Sequence, residues 1–215
     1  GERALERAFA NGLRAMRSHV DSGGPGAEPS WEALLTLQQR WRSRIEMQLV
    51  ALVPLAFWSS AEADGLARRV AASGGCLGGV LTPPCRSADV VDQLEVLLRL
   101  ADRYSCGIDL HIDESDHGPA EGMVQLLKAL RRVPVQVPVT CSHASSLSLL
   151  PAPRLAQLGE RMAEAQLGVI ALPLTNAWLL ARSEGGTPLQ RPQAPIRQLQ
   201  RCGVSVAVAG DNVAD

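Results

Sequence analysis

Short apolar runs alternate with longer amphipathic stretches along most of the chain. Runs that are apolar throughout are typical of strands buried on both faces of a parallel sheet, and apolar positions spaced by three and four residues are typical of helices. The pattern predicts seven strands, at 17–21, 48–53, 76–81, 107–112, 135–141, 168–172 and 204–209. It predicts helices at 2–16, 31–44, 61–72, 88–104, 119–131, 155–166, 177–181 and 196–201, with Ser30 as the N-cap of the second.

Strands that alternate with helices indicate a parallel sheet built from right-handed crossovers. Roughly seven such units, against the eight of a closed barrel, favour an incomplete (β/α)8 barrel over an open doubly wound sheet. No strand is followed by the G-x-G-x-x-G pattern or by a P-loop, which are the usual marks of a nucleotide-binding open sheet. We therefore expect an α/β protein, with one TIM-like barrel domain over residues 1–215 that is incomplete in this chain.

Polar side chains with catalytic potential fall at the ends of several predicted strands. His19, His111 and His143 each end a strand, Asp211 follows the last one, and only His117 lies off this pattern. Because the carboxyl ends of parallel barrel strands meet at one face, we expect these side chains to converge. Imidazoles and carboxylates are ligands of divalent cations, so the pattern indicates metal-assisted hydrolysis.

The stretch 107–114 contains the densest group of such residues. Alternation along a strand puts Asp109, His111 and Asp113 on one face, and Glu114 begins the next loop, where it could move protons at an activated water. Taken alone, the stretch is equally compatible with a buried structural histidine beside a solvated acidic loop. The other strand-end histidines favour the metal site.

Two further groups have alternative interpretations. Arg17, His19 and Asp21 share one side of a strand, where they could line the site or form a buried ion-pair ladder, and the sequence does not choose between these. For Thr175 and Asn176 we favour a capping role at the following helix over a role in the site.

The serines after the fifth strand are interpreted as turn residues: Ser142, Ser145 and Ser146. No G-x-S-x-G elbow is present in the sequence, so no serine nucleophile is indicated.

Composition limits the classes of partner. With 46% hydrophobic residues, 20% charged residues and a net charge of −1, the chain resembles a soluble globular protein without a nucleic-acid footprint. The longest nearly apolar run, 49–58, is too short to span a bilayer, and the first residues, Gly-Glu-Arg-Ala, lack the apolar region of a signal peptide. The five cysteines are odd in number and never form a C-x-x-C pair, which indicates reduced thiols. We expect a cytoplasmic protein without membrane partners; homo-oligomer formation is left open.

Five motifs occur in an order that resembles the cytosine deaminase branch of the amidohydrolase superfamily, over nearly the whole chain. They are Arg17-Ser-His-Val-Asp21, His111-Ile-Asp-Glu114, Ser142-His143, Pro173-Leu-Thr-Asn176 and Gly210-Asp211-Asn212. The resemblance implies a (β/α)8 barrel with one catalytic divalent metal, either zinc or iron, with manganese as a third candidate. It implies His111 and Asp211 as ligands, Glu114 as the proton shuttle, and His143 with Asp211 as the groups that orient and deprotonate the water.

The chain departs from the family pattern at two places. The family has an H-x-H pair on its first strand, and this chain contains none, so we expect a piece of a longer protein that spans strands two to eight. The glutamine with which relatives bind cytosine corresponds to Leu55, and Leu172 and Leu180 stand where relatives can have Asn and Gln. Leu55, Asn176 and Asn212 are therefore the candidate substrate-binding residues.

The sequence predicts metal-dependent hydrolysis of a C–N bond in a small N-heterocycle, most directly a deamination. Hydrolysis of an N-alkylamino triazine or of a cyclic amide would use the same groups. The alternative from another class is a barrel without catalysis that serves as a binding or scaffold protein.

Overall fold

The computed structural model describes residues 1–211, and one parallel sheet of seven strands forms its centre, in the order of the sequence. The strands are β1 (Ala15–Asp21), β2 (Glu46–Leu52), β3 (Cys76–Leu81), β4 (Gly107–Ile112), β5 (Val139–His143), β6 (Gly168–Ala171) and β7 (Ser205–Val208). Each strand pairs in parallel with the next. This confirms the predicted parallel α/β architecture.

The sheet is curled. The guanidinium of Arg17 on β1 reaches Asp109 on β4 and Thr140 on β5, at 2.6 and 3.2 Å. In a flat sheet, three strand spacings of about 4.8 Å would separate β1 from β4, which is more than an arginine side chain spans. The contacts therefore require the curvature of a barrel wall, and the fold is that of an incomplete (β/α)8 barrel.

Residues 1–211 contain eight α-helices, of which the first precedes β1 and the other seven connect the strands. They are α1 (Glu2–Ala10), α2 (Ala27–Trp41), α3 (Ala63–Ala72), α4 (Asp89–Tyr104), α5 (Glu121–Arg132), α6 (Ala152–Glu164), α7 (Pro173–Leu179) and α8 (Ile196–Arg201). Two short 3-10 helices, Leu55–Ser59 and Ser145–Leu149, follow β2 and β5. Among residues 1–211 we find no helix with the length and apolarity that a bilayer span requires.

The core lies between the outer face of the sheet and the helices. Ile108, Leu110 and Ile112 of β4 are fully buried there, and α4 contributes Leu94 and Leu98, one helical turn apart. The inner face of the sheet instead carries polar side chains such as Asp109. Alternation along the strands thus separates an apolar core from a polar barrel interior.

Several predicted boundaries are wrong, and each has a local cause. The first helix ends at Ala10 rather than at 16, because Asn11 and Gly12, with φ of +93°, turn the chain into β1. The predicted N-cap Ser30 lies inside α2, which begins earlier, after Gly26. The fifth strand begins at Val139 rather than at 135, because Pro138 has no N–H to donate, and it ends at His143 rather than at 141.

Candidate active site

Three histidines come together inside the curled sheet, near the carboxyl ends of their strands. The ring of His111 on β4 lies between those of His19 on β1 and His143 on β5, with centroid distances of 4.6 and 5.0 Å. His117, which lies off the strand-end pattern, has a largely exposed side chain that pairs with Asp116. The structure therefore brings together the three strand-end histidines and leaves the fourth outside.

Each of the three imidazoles has a buried nitrogen without a hydrogen-bond partner among the described residues: His19 Nε2, His111 Nδ1 and His143 Nε2. Burial lowers the pKa of His111, and burial together with the neighbouring His111 and His19 rings lowers the pKa of His143 to about 3. His111 and His143 are therefore neutral near pH 7. A neutral imidazole is the form that binds metals and accepts protons.

Two polar groups face the ring of His143. Asn176 Nδ2 lies 3.0 Å from His143 Nδ1, and Glu114 Oε1 lies 3.4 Å from the same atom. With the amide as donor, Nδ1 is the acceptor and the imidazole proton is on Nε2, which points at no described partner. His143 therefore presents an N–H to whatever occupies the site.

Glu114 has an unusual carboxyl group for a loop residue. Burial, assisted by the negative charge of Asp211, raises its pKa to about 7. A carboxyl group with a pKa near the working pH can both accept and release a proton, which is the property of a proton carrier.

Thr175 and Asn176 lie within α7, whose N-cap is Leu172, and both are fully buried. The predicted capping role is therefore wrong for both. The helix begins earlier than the pattern predicts because Pro173 occupies its first turn, and this start turns Asn176 towards His143.

Asp211 follows β7 and is exposed, with φ of +73°. The negative charge of its carboxylate acts to raise the pKa of both His111 and Glu114, so it lies on the same side of the sheet as these groups. The predicted substrate-binding residue Asn212 falls outside the described residues.

Below the histidines, the Asp109 carboxylate is 1% exposed and accepts hydrogen bonds from Arg17 Nη1 at 2.6 Å and Ser142 Oγ at 2.8 Å. Burial alone would raise the pKa of Asp109, but the His19 imidazole, Arg17 and Ser142 outweigh it and hold the pKa below its usual range. His19 Nε2, at 3.6 Å, is too distant for a hydrogen bond. Of the two interpretations of Arg17, the structure contains the ion pair.

Asp21 ends β1 with an exposed side chain, and its charge acts on His111, since it contributes to raising the pKa of that imidazole. Asp21 therefore lies at the edge of the same face.

Asp113 does not share a face with Asp109 and His111, contrary to the alternation. The strand ends at Ile112, Asp113 has φ of +55°, and its carboxylate accepts hydrogen bonds from the N–H groups of Gly122 and Met123 at 2.8 and 2.9 Å. It caps the start of α5, and burial raises its pKa to about 6. The same loop thus turns Asp113 outwards while it leaves Glu114 beside His143.

The leucines of the predicted substrate pocket are mostly covered. Leu55 is 6% exposed and its side chain packs close to Gly79 of β3, Leu172 is 5% exposed, and Leu180 is half-buried. The structure describes no contact between Leu55 and the histidines.

Within residues 1–211, no group of three or more His, Cys, Asp and Glu side chains is arranged to enclose a metal ion. The chemistry of the donors nevertheless suits part of such a site, because His111 combines a neutral ring with an unpartnered buried nitrogen and Asp211 lies nearby. The described residues therefore fit part of a metal shell rather than a whole one.

No protein-family model matches the chain. A pterin deaminase of Rhizobium rhizogenes is 33% identical over 215 residues, which is 100% of this chain and 48% of that protein. The N-isopropylammelide isopropyl amidohydrolase of a Pseudomonas species is 25% identical over 207 residues, which is 95% of this chain and 47% of the relative.

Solved structures give the same picture. The 5-methylcytosine deaminase of Klebsiella pneumoniae, liganded with 5-fluorocytosine, has a TM-score of 0.83 and 25% identity, covering 100% of this chain and 52% of its own. The N-isopropylammelide isopropylaminohydrolase of Burkholderia multivorans has a TM-score of 0.74 and 29% identity, covering 98% and 51%. The chain is therefore similar over its whole length to a pterin deaminase and to a 5-methylcytosine deaminase, and it spans about half the length of the curated relatives it matches.

Proposed function

We propose that this chain carries part of the active site of a metal-dependent enzyme that hydrolyses a C–N bond in a small N-heterocycle, most directly by deamination. One observation carries the proposal: Glu114, with a pKa of about 7, lies beside His143 in a group of three imidazoles, each of which has a buried nitrogen without a partner among residues 1–211. The activities for which the relatives are named, a pterin deaminase and a 5-methylcytosine deaminase among them, support this class of reaction.

We assign one divalent metal, zinc or iron with manganese as a third candidate, to His111 and Asp211. When bound, such an ion supplies a Lewis acid that activates water. A catalytic site of this kind uses about three protein ligands, so the remaining ones would come from sequence outside this chain. The absence of an H-x-H pair from residues 1–215 is consistent with that division.

The chain's own residues would move the protons. In hydrolytic deamination, the water oxygen bonds to the ring carbon, the C–N bond breaks, and the nitrogen leaves as ammonia. Glu114 can accept a proton at neutral pH and return it to a ring nitrogen or to the leaving amine. His143, with a pKa of about 3, is a poor base at neutral pH, so we assign it the orienting role, through its Nε2–H, rather than a deprotonating one.

A catalytically inactive scaffold is a poorer explanation of the same geometry. Leaving a polar group buried without a partner costs about 1–3 kcal/mol, and three imidazole nitrogens are in that state among residues 1–211. A binding protein would gain nothing from this cost unless its ligand occupied the site.

A second reaction is favoured by two relatives. Both are named for hydrolysis of N-isopropylammelide at its isopropylamino group. The leaving group of such a reaction is an alkylamine rather than ammonia. The same proton carrier would serve either leaving group, so the two reactions differ only in the substrate pocket.

The test uses the complete protein that contains this chain. We expect Glu114→Gln to lower kcat for ammonia release by about 10²–10⁴-fold, the usual contribution of a general acid–base, without changing metal content. Asp116→Asn is the matched control, because Asp116 lies two residues further along the same loop and does not contact His143. His111→Ala and Asp211→Ala should instead lower metal content. Loss of metal in Glu114→Gln, or full metal in both ligand variants, would refute the assignment.

We also propose a small-molecule heterocycle as the partner and the cytoplasm as the location. All five cysteines are free thiols, as expected in a reducing compartment.

A further inference from the structure

The hydroxyl of Ser145 bridges the two peptide groups on either side of Glu114. Ser145 is 0% exposed, and its Oγ donates to the carbonyl oxygen of Asp113 at 3.0 Å and accepts from the N–H of Ser115 at 3.2 Å. Asp113 immediately precedes Glu114 in the chain, and Ser115 immediately follows it. One buried side chain thus holds both neighbours of the candidate proton carrier.

This arrangement links Glu114 to His143 through the backbone. Ser145 begins the 3-10 helix just two residues after His143, and the N–H of Ala144 donates to the carbonyl of Ile112 at 2.9 Å. These hydrogen bonds join the turn after β5 to the loop after β4. They lie on both sides of the place where Glu114 Oε1 comes within 3.4 Å of His143 Nδ1.

We propose that Ser145 is a positioning residue for Glu114: its hydroxyl fixes the backbone of that residue so that the carboxyl group stays beside His143. The inference rests on the proposed role of Glu114 as the proton carrier. Reaction rates depend steeply on the position of a catalytic group, since a displacement of about 1 Å can lower the rate on the order of 10²-fold.

The neighbouring serine provides a matched comparison. Ser146 is also 0% exposed, and its Oγ accepts a hydrogen bond from the N–H of Ala120 at 3.1 Å, at the far end of the same loop. The backbone N–H of Ser146 also donates to the carbonyl oxygen of Asp113, at 3.0 Å, and alanine at this position would keep that contact. The two serines therefore have the same burial and serve the same loop, but of their hydroxyl groups it is that of Ser145 which bonds to the peptide groups flanking Glu114.

The experiment compares Ser145→Ala, Ser145→Thr and Ser146→Ala in the complete, metal-loaded protein. We expect both alanine variants to lower the melting temperature, because each removes a hydrogen-bond partner of a buried N–H. The N–H of Ser115 keeps the carbonyl oxygen of Asp113 at 2.9 Å, so the drop in Ser145→Ala should be no larger than that in Ser146→Ala. Only Ser145→Ala should lower kcat, by about 10- to 100-fold with KM nearly unchanged. Ser145→Thr, which keeps the hydroxyl, should restore most of this loss.

Hydrogen exchange tests the contact without using activity. In Ser145→Ala the amide of Ser115, left with the carbonyl oxygen of Asp113 as its acceptor, should exchange faster than in the wild type, and in Ser146→Ala it should not.

The outcomes separate this inference from the proposed function. A wild-type kcat in Ser145→Ala, with Glu114→Gln inactive, would overturn the positioning role and leave the function standing. Equal losses of kcat in Ser145→Ala and Ser146→Ala would overturn it as well, because general destabilisation would then explain both. If the wild-type protein lacks deaminase activity, the proposed function fails, and an unchanged exchange rate at Ser115 would still overturn the bridging contact.

Discussion

Replacing Arg17 by methionine should destabilise the protein by about 2–4 kcal/mol at pH 7. The change removes the guanidinium partner of Asp109, whose carboxylate is 1% exposed, and leaves it with the hydroxyl of Ser142 and the His19 imidazole 3.6 Å away. Breaking a buried ion pair from one side costs roughly 3–5 kcal/mol, because the remaining charge is desolvated. The estimate is lower here because the Arg17 side chain is 33% exposed and its charge is partly screened by water.

The pH dependence of this effect has a definite sign. In the wild type, the pKa of Asp109 is held below its usual range, so the ionised carboxylate stabilises the fold above the unfolded-state pKa of about 3.9. That contribution is lost only as the pH falls through the lower, native value. Without Arg17 the native pKa of Asp109 should rise, because burial is then opposed by the His19 imidazole and Ser142 without the guanidinium. The destabilisation by Arg17→Met should therefore be largest at pH 7 and should shrink at pH 5, where the carboxyl group can take up a proton.

Urea unfolding of the complete protein at pH 7 and pH 5 measures both effects. Arg17→Met, Asp109→Asn and the double variant form a cycle in which the double variant should lose much less than the sum of the single losses. Arg40→Met is the control, because its pair with Glu2 lies on the surface and should contribute little. A loss below about 1 kcal/mol for Arg17→Met at pH 7, or additive single losses, would refute the reasoning.

Two further predictions concern substrate and metal. Because Leu55 offers no hydrogen bond where cytosine-binding relatives have glutamine, cytosine should be a poorer substrate than a larger amino-heterocycle such as a pterin; a kcat/KM for cytosine within about 10⁴–10⁸ M⁻¹s⁻¹ would contradict this. Residues 1–215 expressed alone should bind far less than one equivalent of metal by elemental analysis and should aggregate, because they supply too few ligands and the β7 edge leaves Val208 60% exposed. Stoichiometric metal and deaminase activity in that isolated chain would show that the ligand assignment is wrong.

The approach of the three histidines could be predicted from the sequence because two strong rules combine. Apolar runs between helices fix a parallel sheet, and the ends of parallel barrel strands meet at one face. His111 follows both rules directly, as the penultimate residue of a strand whose other face is wholly apolar. His143 is also predicted at a strand end, but it lies two residues beyond the end of the apolar run at 141, because the polar Ser142 and His143 interrupt that run.

The supporting residues could not be predicted in the same way, because short polar side chains have several local uses. Asn176 resembles a helix cap in the sequence, and Ser145 and Ser146 resemble turn residues. Both residue types commonly bind backbone groups in turns and at helix ends. Their roles depend on contacts to residues about 30 positions away, such as the contact of Asn176 with His143. The spacing of Ser145 two residues after a strand-end histidine was the one available signal, and it has no meaning until β4 and β5 are known to be neighbours.

Part of the backbone strain in residues 1–211 lies around the site. Eight residues other than glycine have left-handed φ angles there, and four of them follow or end strands that border the site: Asp113, His143, Ala144 and Asp211. Such conformations cost about 1 kcal/mol or more each and persist only where surrounding contacts fix them. At Asp113 those contacts are the two N–H groups of α5, and at Ala144 the contact is the carbonyl of Ile112. Because the strand direction is broken at these points, Glu114 and His143 meet side by side, which continued alternation along β4 and β5 would not allow.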